Sequence, residues 1–206
     1  MWDKIEQLVQ HSVHPLNGLV EPPSHEGSIK YYRFLYHLVR WRRPKLAVEI
    51  GIEIARGSYY MTLAAKEYGG QVIGIDIQNT IDGLYPPLQE HYHFLGMDST
   101  TPATRRVLTE LVEKYGPIGV VFQDSSHHYY ASQKEWDILY PLLDENAVWV
   151  CDDITPAFHD PLVDPPDTSM VTYFNERSGD KRLYPDVLHW GSVIGIVLPK
   201  GSNYGG

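Results

Sequence analysis

Ile118-Gly119-Val120-Val121-Phe122-Gln123-Asp124 and Ala147-Val148-Trp149-Val150-Cys151-Asp152-Asp153 are two apolar runs that both end in aspartate. Each is short, rich in valine and flanked by turn or polar residues, the signature of a buried strand. If the two strands are parallel neighbours, their three carboxylates gather at one carboxyl-terminal sheet edge, where the clefts of open α/β sheets form. Acids held that close repel one another unless a cation sits between them, and hard oxygen donors suit a divalent ion such as Mg²⁺. An aspartate at a strand end also commonly caps a turn, so the three count together rather than singly. The first expectation is a metal-assisted active site.

Outward from these strands the chain alternates strand and helix, the pattern of a parallel sheet. Residues 46–50 and 71–76 read as strands with a helix over about 58–68 between them. A third strand, about 93–97, leads into a helix opened by Thr101-Pro102, an N-cap followed by proline, and stopped near Gly116. Ser132 with Glu135 three positions on reads as a capping box, opening a helix that runs to about Leu143. Residues 154–168 hold four prolines and several acids and read as a loop over the cleft. A short helix around 169–177 precedes a hairpin of strands 182–188 and 192–198, with Pro185 marking an edge strand. At the amino end, Trp2, Ile5, Leu8 and Val9 share one face of a short helix. A Pro-, Gly- and His-rich loop (15–27) and a second helix (28–42) follow. The expected architecture is one α/β domain over residues 1–206. A helical cap (1–44) precedes a core (45–206) whose seven-stranded, mostly parallel sheet ends in an antiparallel hairpin.

At 206 residues the chain has room for one sizeable core. A content of 43% hydrophobic and 21% charged residues is that of a globular protein. No apolar stretch approaches the roughly 20 residues that span a bilayer, and Met1-Trp2-Asp3-Lys4 begins no secretion signal, so no membrane partner is expected. Cys151 is the only cysteine; an internal disulfide is impossible, which fits a reducing cytoplasm. The net charge of −9 argues against a nucleic-acid phosphate track. The one basic cluster, Arg40-Trp41-Arg42-Arg43-Pro44-Lys45, reads as a helix C-terminus stopped by proline. Aromatic residues near the amino terminus permit a homo-oligomer.

The first strand–helix junction reads Val48-Glu49-Ile50-Gly51-Ile52-Glu53-Ile54-Ala55-Arg56-Gly57-Ser58. A glycine directly after the strand allows a sharp turn and the close approach of a ligand. The second strand ends in Asp76, the acid position that commonly holds a ribose diol. A dinucleotide would need G-x-G-x-x-G around its pyrophosphate. This chain lacks that spacing, and Glu49 and Glu53 would repel phosphate. A cationic nucleoside without phosphates, such as S-adenosylmethionine, fits the acids better.

Glu49-x-Gly51, Asp76 and Gly96-Met97-Asp98-Ser99 resemble the class I S-adenosylmethionine-dependent methyltransferases, with their Rossmann-like sheet. Asp124-Ser125-Ser126-His127-His128-Tyr129, Tyr140-Pro141-Leu142-Leu143 and Val150-Cys151-Asp152-Asp153 resemble the metal-dependent O-methyltransferases. The similarity is greatest to the branch that includes cephalosporin hydroxylase-like and antibiotic-sugar methyltransferases. The separation of 28 between Asp124 and Asp152 is also similar to the catechol O-methyltransferase type. The resemblance covers about residues 48–153. It implies that Glu49 and Gly51 hold the methionine part of the cofactor, with Gly57 and Ser58 in the same loop. It also implies that Asp76 takes the ribose hydroxyls, that Met97, Asp98 and Ser99 border the adenine, and that Asp124, Asp152 and Asp153 bind Mg²⁺ or a similar ion. Ala55 departs from the family, which often has a second glycine there.

Methyl transfer to oxygen needs the acceptor hydroxyl in line with the sulfonium methyl and partly deprotonated. A divalent ion on that hydroxyl serves both needs, and a nearby base takes the proton. The candidates are His127, then His128, with Asp124 itself able to serve and His159 more remote. The expected function is Mg²⁺-assisted methylation of a small-molecule hydroxyl, on a sugar or natural product. The alternatives are a hydroxylase-like or other metal-dependent enzyme on the same scaffold, or a non-catalytic nucleoside-binding subunit.

Overall fold

A computed structural model describes residues 1–16, 29–53, 55–78, 86–156, 162, 164–165, 168–185 and 192–200. In chain order the elements are α1 (Trp2–His11), α2 (Ile29–Arg42), β1 (Leu46–Ile50), α3 (Arg56–Lys66), β2 (Gln71–Asp76), β3 (Tyr92–Gly96), α4 (Pro102–Tyr115), β4 (Ile118–Gln123), α5 (Tyr129–Leu139), β5 (Leu143–Cys151), α6 (Met170–Glu176), β6 (Asp180–Pro185) and β7 (Val193–Leu198). The strands form one sheet in the order β3-β2-β1-β4-β5-β7-β6. The first five are parallel, and β7 runs antiparallel to both β5 and β6. The Rossmann-like expectation holds, including Pro185 on the edge strand, where a missing ladder N–H is tolerated.

Alternation along the central strands builds the two faces of the core. Ala47, Val120, Phe122, Val148 and Val150 point to one side, where they pack with Ile5, Leu8, Phe34, Leu35, Leu38, Tyr60 and Met61 of α1, α2 and α3. Leu46, Val48, Ile50, Val121 and Trp149 point to the other, against Leu108, Val112, Trp136, Tyr173 and Phe174 of α4, α5 and α6. Helix α1 is also tied to the far edge of the sheet. Glu6 accepts from Arg182 Nη1 at 2.7 Å and from the Tyr184 hydroxyl at 2.8 Å.

Register decides what meets at the carboxyl-terminal edge. Ile50 pairs with Gln123, and Gln123 with Cys151. The next residues continue the ladder: Gly51 N–H donates to Ile75 O (3.0 Å), Asp124 N–H to Ile50 O (2.8 Å) and Asp152 N–H to Gln123 O (2.9 Å). Gly51, Asp124 and Asp152 therefore stand side by side on β1, β4 and β5.

Some expectations need correction. Ser132 does not cap a helix: α5 begins at Tyr129, and Ser132 lies within it, its N–H bonded to His128 O at 3.0 Å. His128 at the N-cap makes no side-chain cap bond. Instead Asp164, 34 residues away, accepts the Tyr130 N–H at 2.8 Å. The cap is tertiary, so no local motif announced it. The same helix ends at Leu139 rather than Leu143. Pro141 cannot continue it, and β5 starts four residues before the expected apolar run, with Leu143 paired to Ile118. Helix α3 starts at Arg56, which puts Gly57 and Ser58 in its first turn. The loop 15–27 from residue 17 onward, much of the 154–168 loop including His159, and residues 186–191 of the hairpin lie outside the described residues. Among the described residues, no helix is long and apolar enough to cross a membrane.

Candidate active site

A cleft of about 690 Å³ opens at the carboxyl-terminal edge of β1, β2 and β4. Of the residues singled out in the sequence, Gly51, Asp76, Met97, Asp98, Ser99, Asp124 and His127 line it. Glu49, Gly57, Ser58, His128, Asp152 and Asp153 are not in its wall.

One wall is the β1–α3 turn. Gly51 has φ +77°, and a Cβ there would lie 2.1 Å from the Asp124 carbonyl oxygen. Only glycine allows both the left-handed backbone and this approach of β4. Glu53 (φ 45°) and Ala55 (φ 59°) continue the turn in left-handed conformations that L-residues seldom adopt. The turn's amides then fix Asp76: Ile52 N–H donates to Oδ2 at 2.9 Å and Glu53 N–H at 3.3 Å, while Gln78 N–H reaches Oδ1 at 2.9 Å.

Glu49 lies beneath this turn, 2% exposed. The Ser58 hydroxyl donates to its carboxylate, and a Cβ on Gly57 would lie 2.0 Å from its Oε1. Gly57 and Ser58 thus form the seat of Glu49. Burial pushes the Glu49 carboxyl well above its ordinary range, with the Ser58 hydrogen bonds opposing and the Asp124 charge adding to the rise.

The opposite wall carries Asp124 at the end of β4, with Asp152 and Asp153 following β5 next to it but outside the cleft lining. Asp124 opens to the cleft, accepts from the Tyr31 hydroxyl of α2 at 2.9 Å, and lies 3.4 Å from His127 Nε2. Burial raises the Asp124 carboxyl to about 7; the His127 and Tyr31 contacts pull it down, and the neighbouring Asp152 charge pushes it up. Burial alone would lower the His127 imidazole, but the hydrogen bond and charge of Asp124 outweigh that and leave it above its ordinary value. Asp152 Oδ1 accepts from Asp153 N–H at 2.8 Å and from Ser192 Oγ at 3.1 Å, and Asp153 Oδ1 lies 2.5 Å from the same hydroxyl. His127 (φ 55°) and Asp153 (φ 52°) are also left-handed. His128 turns aside, its Nδ1 3.6 Å from Asp164. Among the described residues, no three His, Cys, Asp or Glu side chains stand together as a ready set of metal ligands.

Three residues of this region escaped the sequence reading. Tyr31 lies on the apolar face of α2 and gave no sign beyond a buried hydroxyl needing a partner. Ser192 directly precedes β7, where a serine is unremarkable. Glu135 lines the cleft and accepts from Ser99, Gln123 and Ser125; its position three residues after Ser132 made it look like half of a helix cap.

The model of a methyltransferase domain matches residues 48–154, just over half of the chain. The chain belongs to the methyltransferase-domain family. No curated protein matches it. Among solved structures, it resembles an O-methyltransferase from Bacillus cereus in complex with S-adenosylhomocysteine, with 14% identity, a TM-score of 0.60, and 95% of this chain and 90% of the other covered. The O-methyltransferase TomG from Streptomyces achromogenes, involved in tomaymycin synthesis and solved with S-adenosylmethionine, shares 16% identity at a TM-score of 0.57, with 96% and 88% covered. MycE from the mycinamycin biosynthetic pathway, solved with Mg, S-adenosylhomocysteine and mycinamycin VI, shares 17% identity at a TM-score of 0.59. There 98% of this chain matches but only 56% of MycE, so the chain spans little more than half of that protein. The fold of this methyltransferase is thus that of S-adenosylmethionine-dependent enzymes.

Proposed function

We propose that this methyltransferase transfers the methyl group of S-adenosylmethionine to a hydroxyl of a small molecule, a sugar or natural product, with a divalent cation such as Mg²⁺ assisting. The observation that carries the reading is the juxtaposition at one sheet edge. The Gly51 turn and the amide-braced Asp76 form one wall of a cleft whose other wall is Asp124 with His127. The cleft volume lies within the range of small-ligand sites, about 300–1,000 Å³.

In this reading Asp76 accepts from the two ribose hydroxyls, its carboxylate already aimed by the turn amides. Met97, Asp98 and Ser99 border the adenine. The Gly51 turn lines the cleft where the methionine moiety would lie, and Glu49, with Gly57 and Ser58, supports the turn from below. The acid-lined wall favours a sulfonium over a phosphate. At the far wall, Asp124 and His127 share a proton-accepting role toward the acceptor hydroxyl. They stand 3.4 Å apart and each shifts the proton affinity of the other, so neither alone owns the base function. His128 is the less favoured base, because it faces Asp164.

The residues fit a cation in their chemistry. Asp124 and Asp152 are hard oxygen donors whose mutual repulsion contributes to the raised Asp124 carboxyl, and a bound cation would relieve it. Asp124 and Asp152 would hold it, with Asp153 joining once released from Ser192. When bound, the ion would lower the pKa of a coordinated hydroxyl and orient it. The relatives TomG and MycE, by their names, serve natural-product pathways, which supports an acceptor of that class.

Isothermal titration with S-adenosylhomocysteine tests the cofactor half. Micromolar binding that is lost in Asp76→Ala is expected, and no binding at millimolar ligand would end the reading. Mn²⁺ titration followed by electron paramagnetic resonance tests the metal half. One bound ion in the wild type and none in the Asp124→Asn, Asp152→Asn double variant is expected; equal binding by both proteins would remove the cation from the scheme.

A further inference from the structure

We propose that Glu135 fixes the hydrogen-bond polarity of the nucleobase end of the cleft, so that it accepts a 6-amino purine and rejects the 6-oxo counterpart. The inference rests on the methyltransferase reading of the cleft and adds to it a specificity-determining residue that contacts the base only through its neighbours.

The chain of donors is forced from the interior outward. The Trp149 indole N–H can only donate, and it points at Gln123 Oε1 from 3.1 Å. The Tyr173 hydroxyl donates to the same oxygen at 2.8 Å. The Gln123 amide is thereby held in one orientation, with Nε2 toward Glu135 Oε2 at 2.7 Å. Glu135 is 1% exposed. Its carboxylate also faces Ser99 Oγ at 2.6 Å and Ser125 Oγ at 2.9 Å. Three donors converging on one carboxyl match an ionised, acceptor-only group. Burial raises the Glu135 carboxyl, and these three hydrogen bonds oppose that rise.

The consequence appears at the cleft surface, which Ser99, Ser125 and Glu135 all line. Each serine spends its only hydroxyl hydrogen on Glu135. What remains for a ligand is lone pairs. Asp98 beside them is held ionised by the Thr100 N–H and hydroxyl (2.8 and 2.7 Å), which keep its carboxyl below the ordinary range. This end of the cleft therefore offers side-chain acceptors. An exocyclic amino group satisfies them, whereas a 6-oxo group meets lone pair with lone pair. A site that leaves buried polar groups unpaired against the wrong ligand discriminates strongly.

The test compares S-adenosylhomocysteine with its deaminated counterpart, S-inosylhomocysteine, by isothermal titration on the full chain. The wild type is expected to prefer the amino form by about 10-fold or more. In Glu135→Gln the oxygen of the new amide stays toward the fixed Gln123 amide, so its NH₂ faces Ser99 and the serine hydrogen turns to the cleft. The preference should then shrink about 10-fold, mainly through a gain for the inosyl ligand. A loss of packing alone would weaken both ligands together and leave the ratio unchanged. Should Glu135→Gln fold poorly, Ser99→Ala, which removes the lone pair at the surface, is expected to lower the same ratio. Equal binding of the two ligands by the wild type, or an unchanged ratio in the variants, overturns the proposal. If the wild type binds neither ligand, the cofactor reading itself has failed.

Discussion

The two walls of the cleft are built by different means. On the β1–β2 side, backbone does the work: Gly51, Glu53 and Ala55 bend the chain through left-handed conformations, and the amides of the turn hold Asp76. On the β4–β5 side, side chains from remote segments do it. Tyr31 comes from α2 to Asp124, Ser192 from just before β7 to Asp152, and Asp164 from between β5 and α6 to the N-terminus of α5. A backbone-built wall is local. A wall held by distant side chains can be detuned one contact at a time.

The sharpest way to break the comparison is Gly51→Ala. The new Cβ would meet the Asp124 carbonyl at 2.1 Å in a backbone with φ +77°. The left-handed penalty of about 1–2 kcal/mol adds to an overpacking penalty of about 1–3 kcal/mol, so urea unfolding should show a loss of about 2–5 kcal/mol. A loss of only about 1–2 kcal/mol would mean that β4 moves away and only the backbone penalty remains, and a smaller loss would mean that neither term constrains the turn. Beneath the same wall, Glu49 offers a pH test. Its carboxyl is raised in the folded state, so its contribution to stability is full below the ordinary carboxylate range and declines as pH rises toward its folded value. Glu49→Gln cannot ionise. Its stability relative to the wild type should therefore increase from pH 4 to pH 8, and a difference that stays flat with pH would show that Glu49 ionises freely.

Tertiary capping is the next contrast. Asp164→Ala removes the acceptor for Tyr130 N–H at the start of α5, at a cost of about 1 kcal/mol (range about 0.5–2) by analogy with N-cap deletions. Asp164→Asn keeps an acceptor and should recover most of it. Chemical denaturation of both variants decides; equal losses would assign the effect to charge rather than to the cap. Tyr31→Phe, which strips one hydrogen bond from Asp124, should cost about 1 kcal/mol in the same measurement.

The difference between the walls also explains what was legible in the sequence. Strand identity, and the adjacency of β4 and β5, followed from apolar runs and their acid ends, because period-two burial is set by backbone geometry. Gly51 and Asp76 were legible for the same reason. The full strand order and the register were not legible, because they depend on pairing between segments far apart in the chain. Tyr31, Ser192 and Asp164 were not, since each satisfies a partner 93, 40 or 34 residues away, and nothing local marks such a bond. Ser132 and Glu135 show the opposite failure. A real local motif, S-x-x-E, was present and its chemistry was used elsewhere, with Ser132 bonded to Met170 inside a helix and Glu135 turned to the cleft.

Ala55 gives the finest test of the backbone-built wall. It stands at φ 59°, ψ 29° as the N-cap of α3, buried at 3% exposure. The left-handed region costs a non-glycine residue about 1–2 kcal/mol, while glycine loses about 0.5–1 kcal/mol more conformational freedom on folding. The two nearly offset, so Ala55→Gly should stabilise the protein by about 0.5 kcal/mol in urea unfolding, with S-adenosylhomocysteine affinity unchanged. A clear destabilisation would mean that the methyl group packs under the turn strongly enough to outweigh its strained backbone, and that the wall depends on side-chain contacts after all.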